Sequence, residues 1–337
     1  MTDKTIVLIS GPINKHVLPP LERDGRFEIR KPEKGLHFTA EELKSKISDA
    51  QILIVAYQSV ITREILSAGE RLGLVIQPFV GYENVDVDAC TALGIPFCNT
   101  ASIGTEAVAE LGMALVFAAY RNLPQNCAYA KSGGWQRRGA APFLFGQTVG
   151  GSVMGILGLG HIGLRLAELA QGCGMTVLYH NRRRHEAAES AGMTWVTTDE
   201  LYKAADIVAD VLPLTAETKH FVDRAAFRKM KDSALFLNIG RGDTVDTTAL
   251  TEALRTGEIA KAALDVIDIE PLPPQHALYQ MDNVIITPHI GGMTRQSWAA
   301  KGNGTAANII SFCNGQGVRD CVNGRALGIR ENKKVRL

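Results

Sequence analysis

The chain has 337 residues, 46% hydrophobic and 21% charged, with 36 Lys and Arg against 35 Asp and Glu. At roughly 150 residues per domain, that length predicts two domains, each with enough chain to bury a core. Near-cancelling charge without a long tract of one sign excludes a nucleic-acid binder held by a basic field, and 33 Gly and 13 Pro scattered as turn punctuation exclude a disordered chain.

The segment Met1-Thr2-Asp3-Lys4 leads into an apolar run at 6–9 that is too short for a signal-peptide core. The next run, 52–56, reads as a strand, as do 74–76 and 96–98, with amphipathic stretches at 40–48 and 87–93 between them. Residues 106–121 read as one long, largely buried helix. Its apolar stretch from Ala107 to Tyr120 carries Glu110 and falls short of the ~20 residues of a membrane span, so no membrane partner is expected. A turn at Lys131–Trp135 and a Gly/Pro-rich segment from Gly139 to Gly151 precede a second alternating block. Its strand candidates are 154–157, 176–179, 207–211, 235–238, 262–266 and 284–287, six runs with helical spacers, the count of a dinucleotide-binding sheet. A closing helix over 295–313 is too isolated to form a domain and is expected to return to the first block. The basic end, Lys333-Lys334-Val335-Arg336, reads as a solvated tail. The fold class is therefore α/β, with two doubly wound parallel sheets. One expected domain is discontinuous, 1–103 plus 293–337, and the other is 104–292. Cys90, Cys98, Cys127, Cys173, Cys313 and Cys321 show no CxxC spacing and no zinc-ligand cluster. They read as free thiols of a cytoplasmic protein without a metal.

The sharpest motif is Gly158-Leu159-Gly160-His161-Ile162-Gly163, which follows an apolar strand and opens a helix. In that setting Gly158 makes a tight turn, Gly160 admits a pyrophosphate to the backbone, and Gly163 allows close helix–strand contact. The helix start adds free N–H groups and partial positive charge. NAD sites usually place a carboxylate about 20 residues on, at the end of the next strand. Here the chain reads Tyr179-His180-Asn181-Arg182-Arg183-Arg184. With no carboxylate to repel a 2′-phosphate and guanidiniums to bind one, the expected cofactor is NADP(H), with Asn181, Arg182 and Arg183 as contacts.

Three later segments sit at strand ends, where α/β proteins collect their chemistry. They are Asn238-Ile239-Gly240-Arg241-Gly242, Asp265 to Pro273 and Thr287-Pro288-His289-Ile290-Gly291-Gly292. In this order after the glycine motif, they resemble the D-isomer-specific 2-hydroxyacid dehydrogenase family. The resemblance runs from about Ile52 to Val322 and takes in Val80-Gly81-Tyr82-Glu83-Asn84-Val85-Asp86, Glu106–Glu110 and Pro213–Thr218. Glu270-Pro271-Leu272-Pro273 followed by His276, with the missing carboxylate, is most similar to the NADPH-preferring glyoxylate/hydroxypyruvate reductase branch.

The resemblance implies roles. Arg241 would bind the carboxylate of a small 2-oxo acid and polarise its carbonyl, with the amides near Val80 and Gly81 on the other side of the carboxylate. His289 would be the acid–base group, since an imidazole ordinarily ionises near working pH, and Glu270 would pair with it and orient it. Asp265 would hold the nicotinamide carboxamide and Thr105 would lie against the ring. Leu159, His161, Ile162, Leu212, Pro213, Thr218, Ile239, Gly240 and Gly291 would complete the cofactor site. The substrate is expected in an interdomain cleft, and the assembly as a homodimer built on the cofactor domain.

Departures and rivals also follow from the residues. Phe79 stands where the family usually begins its substrate loop with glycine, so it and the stretch from Trp135 to Phe145 are the expected determinants of acceptor size. Leu111 replaces a histidine common after Glu110. Val80 stands where phosphite dehydrogenases carry Lys, and Glu270 where formate dehydrogenases carry Gln. Too little chain follows the closing helix for the regulatory domain frequent in phosphoglycerate dehydrogenases. The alternatives are a broad or aromatic 2-oxo-acid reductase of the same family and an NADP(H)-sensing, corepressor-like binding protein.

Overall fold

The computed structural model describes residues 4–136 and 144–329. Two compact units emerge, one from Met1–Gly104 with Met293–Leu337 and one from Thr105–Gly292, each on its own sheet.

The first unit contains β1 (Thr5–Ile9), β2 (Phe27–Arg30), β3 (Ile52–Ile54), β4 (Leu74–Ile76) and β5 (Phe97–Cys98). They pair in parallel in the order β2-β1-β3-β4-β5. Successive side chains feed opposite faces: Leu8, Leu53, Val75 and Phe97 one core, Val7, Ile52, Leu74 and Cys98 the other. Because both faces are covered, these strands are apolar at nearly every position rather than alternating. β2 escapes the apolar-run criterion because Phe27-Glu28-Ile29-Arg30 is a sheet edge with only Phe27 buried.

The closing helix, Arg295–Cys313, belongs to this unit and is capped by Thr294, whose hydroxyl accepts the Ser297 amide at 3.0 Å. Its Phe312 ring covers Gly73. Farther on, Asn323 accepts the Phe97 amide and donates to the Ile95 carbonyl, both at 2.9 Å, which laces the chain after the helix to β5. Lys301 on this helix is only 7% exposed, lies beside Gly104 and has no hydrogen-bond or ion-pair partner among the described residues. Burial pushes its ammonium below the ordinary lysine value. Replacing a lone buried charge with an apolar side chain of similar length removes that penalty. Lys301→Met is therefore expected to raise stability in urea unfolding by about 1–4 kcal/mol near neutral pH. A lowered lysine pKa costs stability below the unfolded-state value, so the gain should shrink as pH approaches about 10.4.

The second unit contains β6 (Val153–Leu157), β7 (Thr176–His180), β8 (Thr194–Trp195), β9 (Ile207–Asp210), β10 (Leu235–Asn238), β11 (Lys261–Leu264) and β12 (Val284–Ile286). Seven strands rather than six form the sheet, in the order β12-β11-β10-β9-β6-β7-β8, all parallel. The extra strand, β8, is two residues at an edge, too short to register as a hydrophobic run. The chain runs outward from β6 to β8 and then resumes at β9 on the other side of β6. The β6/β9 junction is thus the topological switch point, where ligands bind beyond the carboxyl ends of the strands. The helix Thr105–Tyr120 buries Met113, Val116 and Ala119 and packs on the helix His161–Gly172.

Residues 137–143, which overlap the expected Gly/Pro-rich segment from 139 to 151 and fall within the 135–145 stretch, and the tail at 333–336 lie outside the described residues. No helix among the described residues is long and apolar enough to cross a membrane.

Candidate functional site

The glycine loop joins β6 to the helix His161–Gly172 at the switch point. Gly158 adopts φ 92°, a conformation costly for side chains with a Cβ, and its amide donates to the His180 carbonyl at 3.0 Å. A Cβ on Gly163 would lie 2.1 Å from the Gly158 carbonyl oxygen, so only glycine lets the helix seat this close. A Cβ on Gly160, by contrast, would meet nothing within 4 Å, and no side chain caps the helix that starts there. Open space beside uncapped helix-start N–H groups suits the pyrophosphate of a dinucleotide. The Leu159 side chain is buried in the core, Ile162 packs against it and His161 is exposed.

Asn181, at the end of β7, accepts the Leu159 amide through Oδ1 at 3.1 Å, and its carbonyl accepts from the Trp195 indole at 3.0 Å. Arg184, unlike Arg182 and Arg183 among the described residues, is already partnered. It forks onto Glu189 at 2.9 and 2.6 Å and lies 5.9 Å from the centre of the Trp195 ring. Arg182 and Arg183 are exposed and form no ion pair among the described residues. Glu217, in the loop after β9, is held below the ordinary glutamate value, first by the Thr215 hydroxyl, then by its own amide and by the charge of Arg182. In the same loop Thr218 spends its hydroxyl on folding, donating to the Pro213 carbonyl at 2.6 Å and accepting the Thr215 amide at 2.7 Å. Leu212 is half-buried and Pro213 exposed.

The strand ends β10, β11 and β12 bring the acid–base residues together. His289 donates from Nδ1 to Glu270 Oε2 at 2.7 Å, while Glu270 Oε1 accepts the Ile267 amide at 3.1 Å. Burial raises the Glu270 carboxyl, but the hydrogen bond and charge of His289, the Ile267 amide and the charge of Arg241 outweigh it, and the net shift is downward. An ionised carboxylate only accepts, so the proton of this contact sits on Nδ1 and Nε2 is the nitrogen left for exchange with a ligand. Arg241 comes alongside because Gly242 has no side chain: a Cβ there would lie 1.9 Å from the Ile267 carbonyl carbon. The Arg241 guanidinium donates through Nη1 to the Gly240 carbonyl at 2.8 Å.

Asp265 has turned inward to build the histidine turn. Its Oδ1 accepts the Thr287 hydroxyl at 2.6 Å and the Ile290 amide at 2.9 Å, and its Oδ2 the Gly291 amide at 2.8 Å. Those bonds hold His289 at φ 52° and leave Oδ2 one further acceptor position. The Ile239 side chain is buried against Gly112, so only its main chain can meet a cofactor. Gly240 packs against the Leu212 backbone, and Thr105 starts the long helix, half-buried.

In the first unit, the loop after β4 turns its carbonyls inward. Phe79 O accepts the Thr100 amide at 3.2 Å, Val80 O the Asn99 side chain at 2.8 Å, and Gly81 O the Gln77 side chain. The amides of Val80 and Gly81 find no acceptor among the described residues, which leaves two adjacent donors for an anion. Phe79, whose orientation the sequence left open, lies between Tyr57 and Trp298, with ring centroids at 5.7 and 6.3 Å. Tyr57 and Trp298 were not anticipated. Also unanticipated was Asp210, fully buried at the end of β9. Its signal was a carboxylate inside an apolar strand.

A family model described as D-isomer specific 2-hydroxyacid dehydrogenase, NAD binding domain, matches residues 113–291. A glyoxylate reductase of Thermococcus onnurineus is 36% identical over 332 residues, covering 97% of this chain and 98% of that protein. A D-3-phosphoglycerate dehydrogenase of Methanocaldococcus jannaschii is 37% identical over 320 residues, 94% of this chain but 59% of its own length. Among solved structures, an NADPH-dependent glyoxylate/hydroxypyruvate reductase of Sinorhizobium meliloti, in complex with NADP and malonate, gives a TM-score of 0.85 at 30% identity. That match covers 98% of this chain and 99% of the other.

Proposed function

Since the chain belongs to the D-isomer specific 2-hydroxyacid dehydrogenase family, we propose that it is an NADPH-dependent reductase of small 2-oxo acids of the glyoxylate and hydroxypyruvate class. The observation that carries this reading is the 2.7 Å bond between His289 and Glu270, with the charge of Arg241 bearing on the same carboxylate. The likeness to the glyoxylate reductase and to the NADPH-dependent reductase supports the substrate class and the cofactor.

A nicotinamide cofactor, when bound, would supply the hydride that the carbonyl carbon receives. His289 gives the proton at Nε2 to the carbonyl oxygen, and Glu270 keeps the ring oriented and offsets the positive charge on the protonated imidazole. Arg241 and the Val80 and Gly81 amides are the groups assigned to the substrate carboxylate. On the cofactor side, Gly160 and the helix start take the pyrophosphate, the spare acceptor of Asp265 takes the carboxamide, and Asn181, Arg182 and Arg183 take the 2′-phosphate. Among larger substrates the product is the D-2-hydroxy acid. Six free cysteines support a reducing, cytoplasmic setting, and exposed Trp135, Leu144 and Phe145 in the second unit support a homodimer built on that unit.

A second reading, reduction of aryl 2-oxo acids, is favoured by the aromatic trio Tyr57, Phe79 and Trp298. Loss of NADPH absorbance with glyoxylate, hydroxypyruvate, pyruvate and phenylpyruvate separates the two. Fastest turnover of glyoxylate and hydroxypyruvate is expected. Preference for phenylpyruvate transfers the assignment to the aryl acids, and NADPH binding without turnover of any acid makes the protein a sensor.

A further inference from the structure

Asp210 closes β9 with no exposed surface, directly across the sheet from Asn238 and Leu157. Its Oδ1 accepts the Leu212 amide at 2.9 Å. Its Oδ2 lies 2.6 Å from the Thr244 hydroxyl oxygen, and that same oxygen lies 2.5 Å from the Arg241 carbonyl. A hydroxyl has one proton and a carbonyl has none. The Thr244 amide reaches the Arg241 carbonyl at 3.4 Å in any case, but the Thr244 hydroxyl can donate to it only if the proton between Thr244 and Asp210 comes from Asp210. An ionised Asp210 would leave two oxygens 2.5 Å apart without a proton between them.

The surroundings agree. The helix Thr198–Ala204 contributes the buried Tyr202, whose hydroxyl has no hydrogen-bond partner among the described residues. β10 contributes the neutral Asn238, which donates to the Arg241 carbonyl at 3.0 Å, and β6 contributes Leu157. Among the described residues no cation offsets a charge on Asp210, and burial, opposed by Thr244 and the Leu212 amide, pushes the carboxyl up to about 7.

We propose that Asp210 is a positioning residue, held as the neutral acid, that passes a hydrogen bond through Thr244 to the Arg241 carbonyl and so fixes the group that anchors the substrate carboxylate. The proposal rests on the reading of Arg241 given above. When Asp210 ionises, its proton leaves, the Thr244 hydroxyl turns to donate to the carboxylate, the Arg241 carbonyl loses that bond, and the anchor loosens while the direct Glu270–His289 bond stays in place.

The test follows KM and kcat for glyoxylate from about pH 6 to about pH 9 in the full chain, with Asp210→Asn and Thr244→Val alongside. In the wild type KM is expected to rise about tenfold, the worth of one net hydrogen bond. Asp210→Asn cannot ionise, and its amide still donates to Thr244, so its KM should stay flat near the wild-type acid value. Thr244→Val should start with a raised KM and stay flat, with kcat following the same pH curve in all three proteins. A KM that still climbs in Asp210→Asn overturns the proposal, as does an equal loss of kcat and kcat/KM at every pH. Infrared difference spectra between the same two pH values read Asp210 without catalysis. A carboxylic-acid carbonyl band lost on raising pH in the wild type, and missing from Asp210→Asn, is expected; its absence from the wild type overturns the neutral-acid assignment. Absence of turnover with every 2-oxo acid overturns the functional reading alone.

Discussion

His289→Ala is expected to lower kcat for 2-oxo acid reduction by about 10²–10⁴, the usual worth of a positioned acid–base group. The expectation comes from the geometry of the ring. Nδ1 is committed to Glu270 at 2.7 Å, and the turn carrying His289 is held by three bonds to the Asp265 carboxylate. Because the loss falls on the chemical step, kcat and kcat/KM should drop together while NADPH binding, followed by fluorescence, stays near wild type. Near-wild-type turnover in this variant would remove His289 from the acid–base role. Unchanged kcat with a raised KM alone would leave it only a binding role.

The second large effect is on cofactor choice. Arg182→Ser combined with Arg183→Ser is expected to lower kcat/KM for NADPH by about 10–10² while leaving NADH nearly unchanged. Charge-assisted hydrogen bonds are worth about 1.5–3 kcal/mol each, reduced here by the exposure of both side chains. Arg184 serves as the internal comparison. Its guanidinium is already spent on Glu189, so Arg184→Ser should leave the NADPH to NADH ratio in place. Equal use of both cofactors by the wild type would remove the 2′-phosphate from Asn181, Arg182 and Arg183.

Much of this architecture is legible because parallel strands covered on both faces are apolar at nearly every position. Such runs at 52–54, 74–76, 153–157 and 235–238 need no partner to be seen. β2 and β8 lie at sheet edges, where one exposed side relaxes the pattern and two to four residues suffice. The glycine loop was readable since two of its glycines answer steric demands, at Gly158 a φ of 92° and at Gly163 a 2.1 Å approach to a carbonyl. The Glu270–His289 pair was reachable only through the order of motifs, because nineteen residues separate the two in sequence and nothing local joins them. The inward role of Asp265, the pairing of Arg184 and the Thr244 bridge were not readable, since each depends on which donors the fold brings within 3 Å. Asp210 had a signal that composition alone gives: a carboxylate in a strand buried on both faces must be paired or neutral.

The central claim is tested most directly by incubating the wild-type protein with hydroxypyruvate and NADPH and resolving the product by chirality. One D-glycerate formed for each NADPH consumed is the predicted result. L-glycerate, or NADPH consumption without glycerate, would contradict the account.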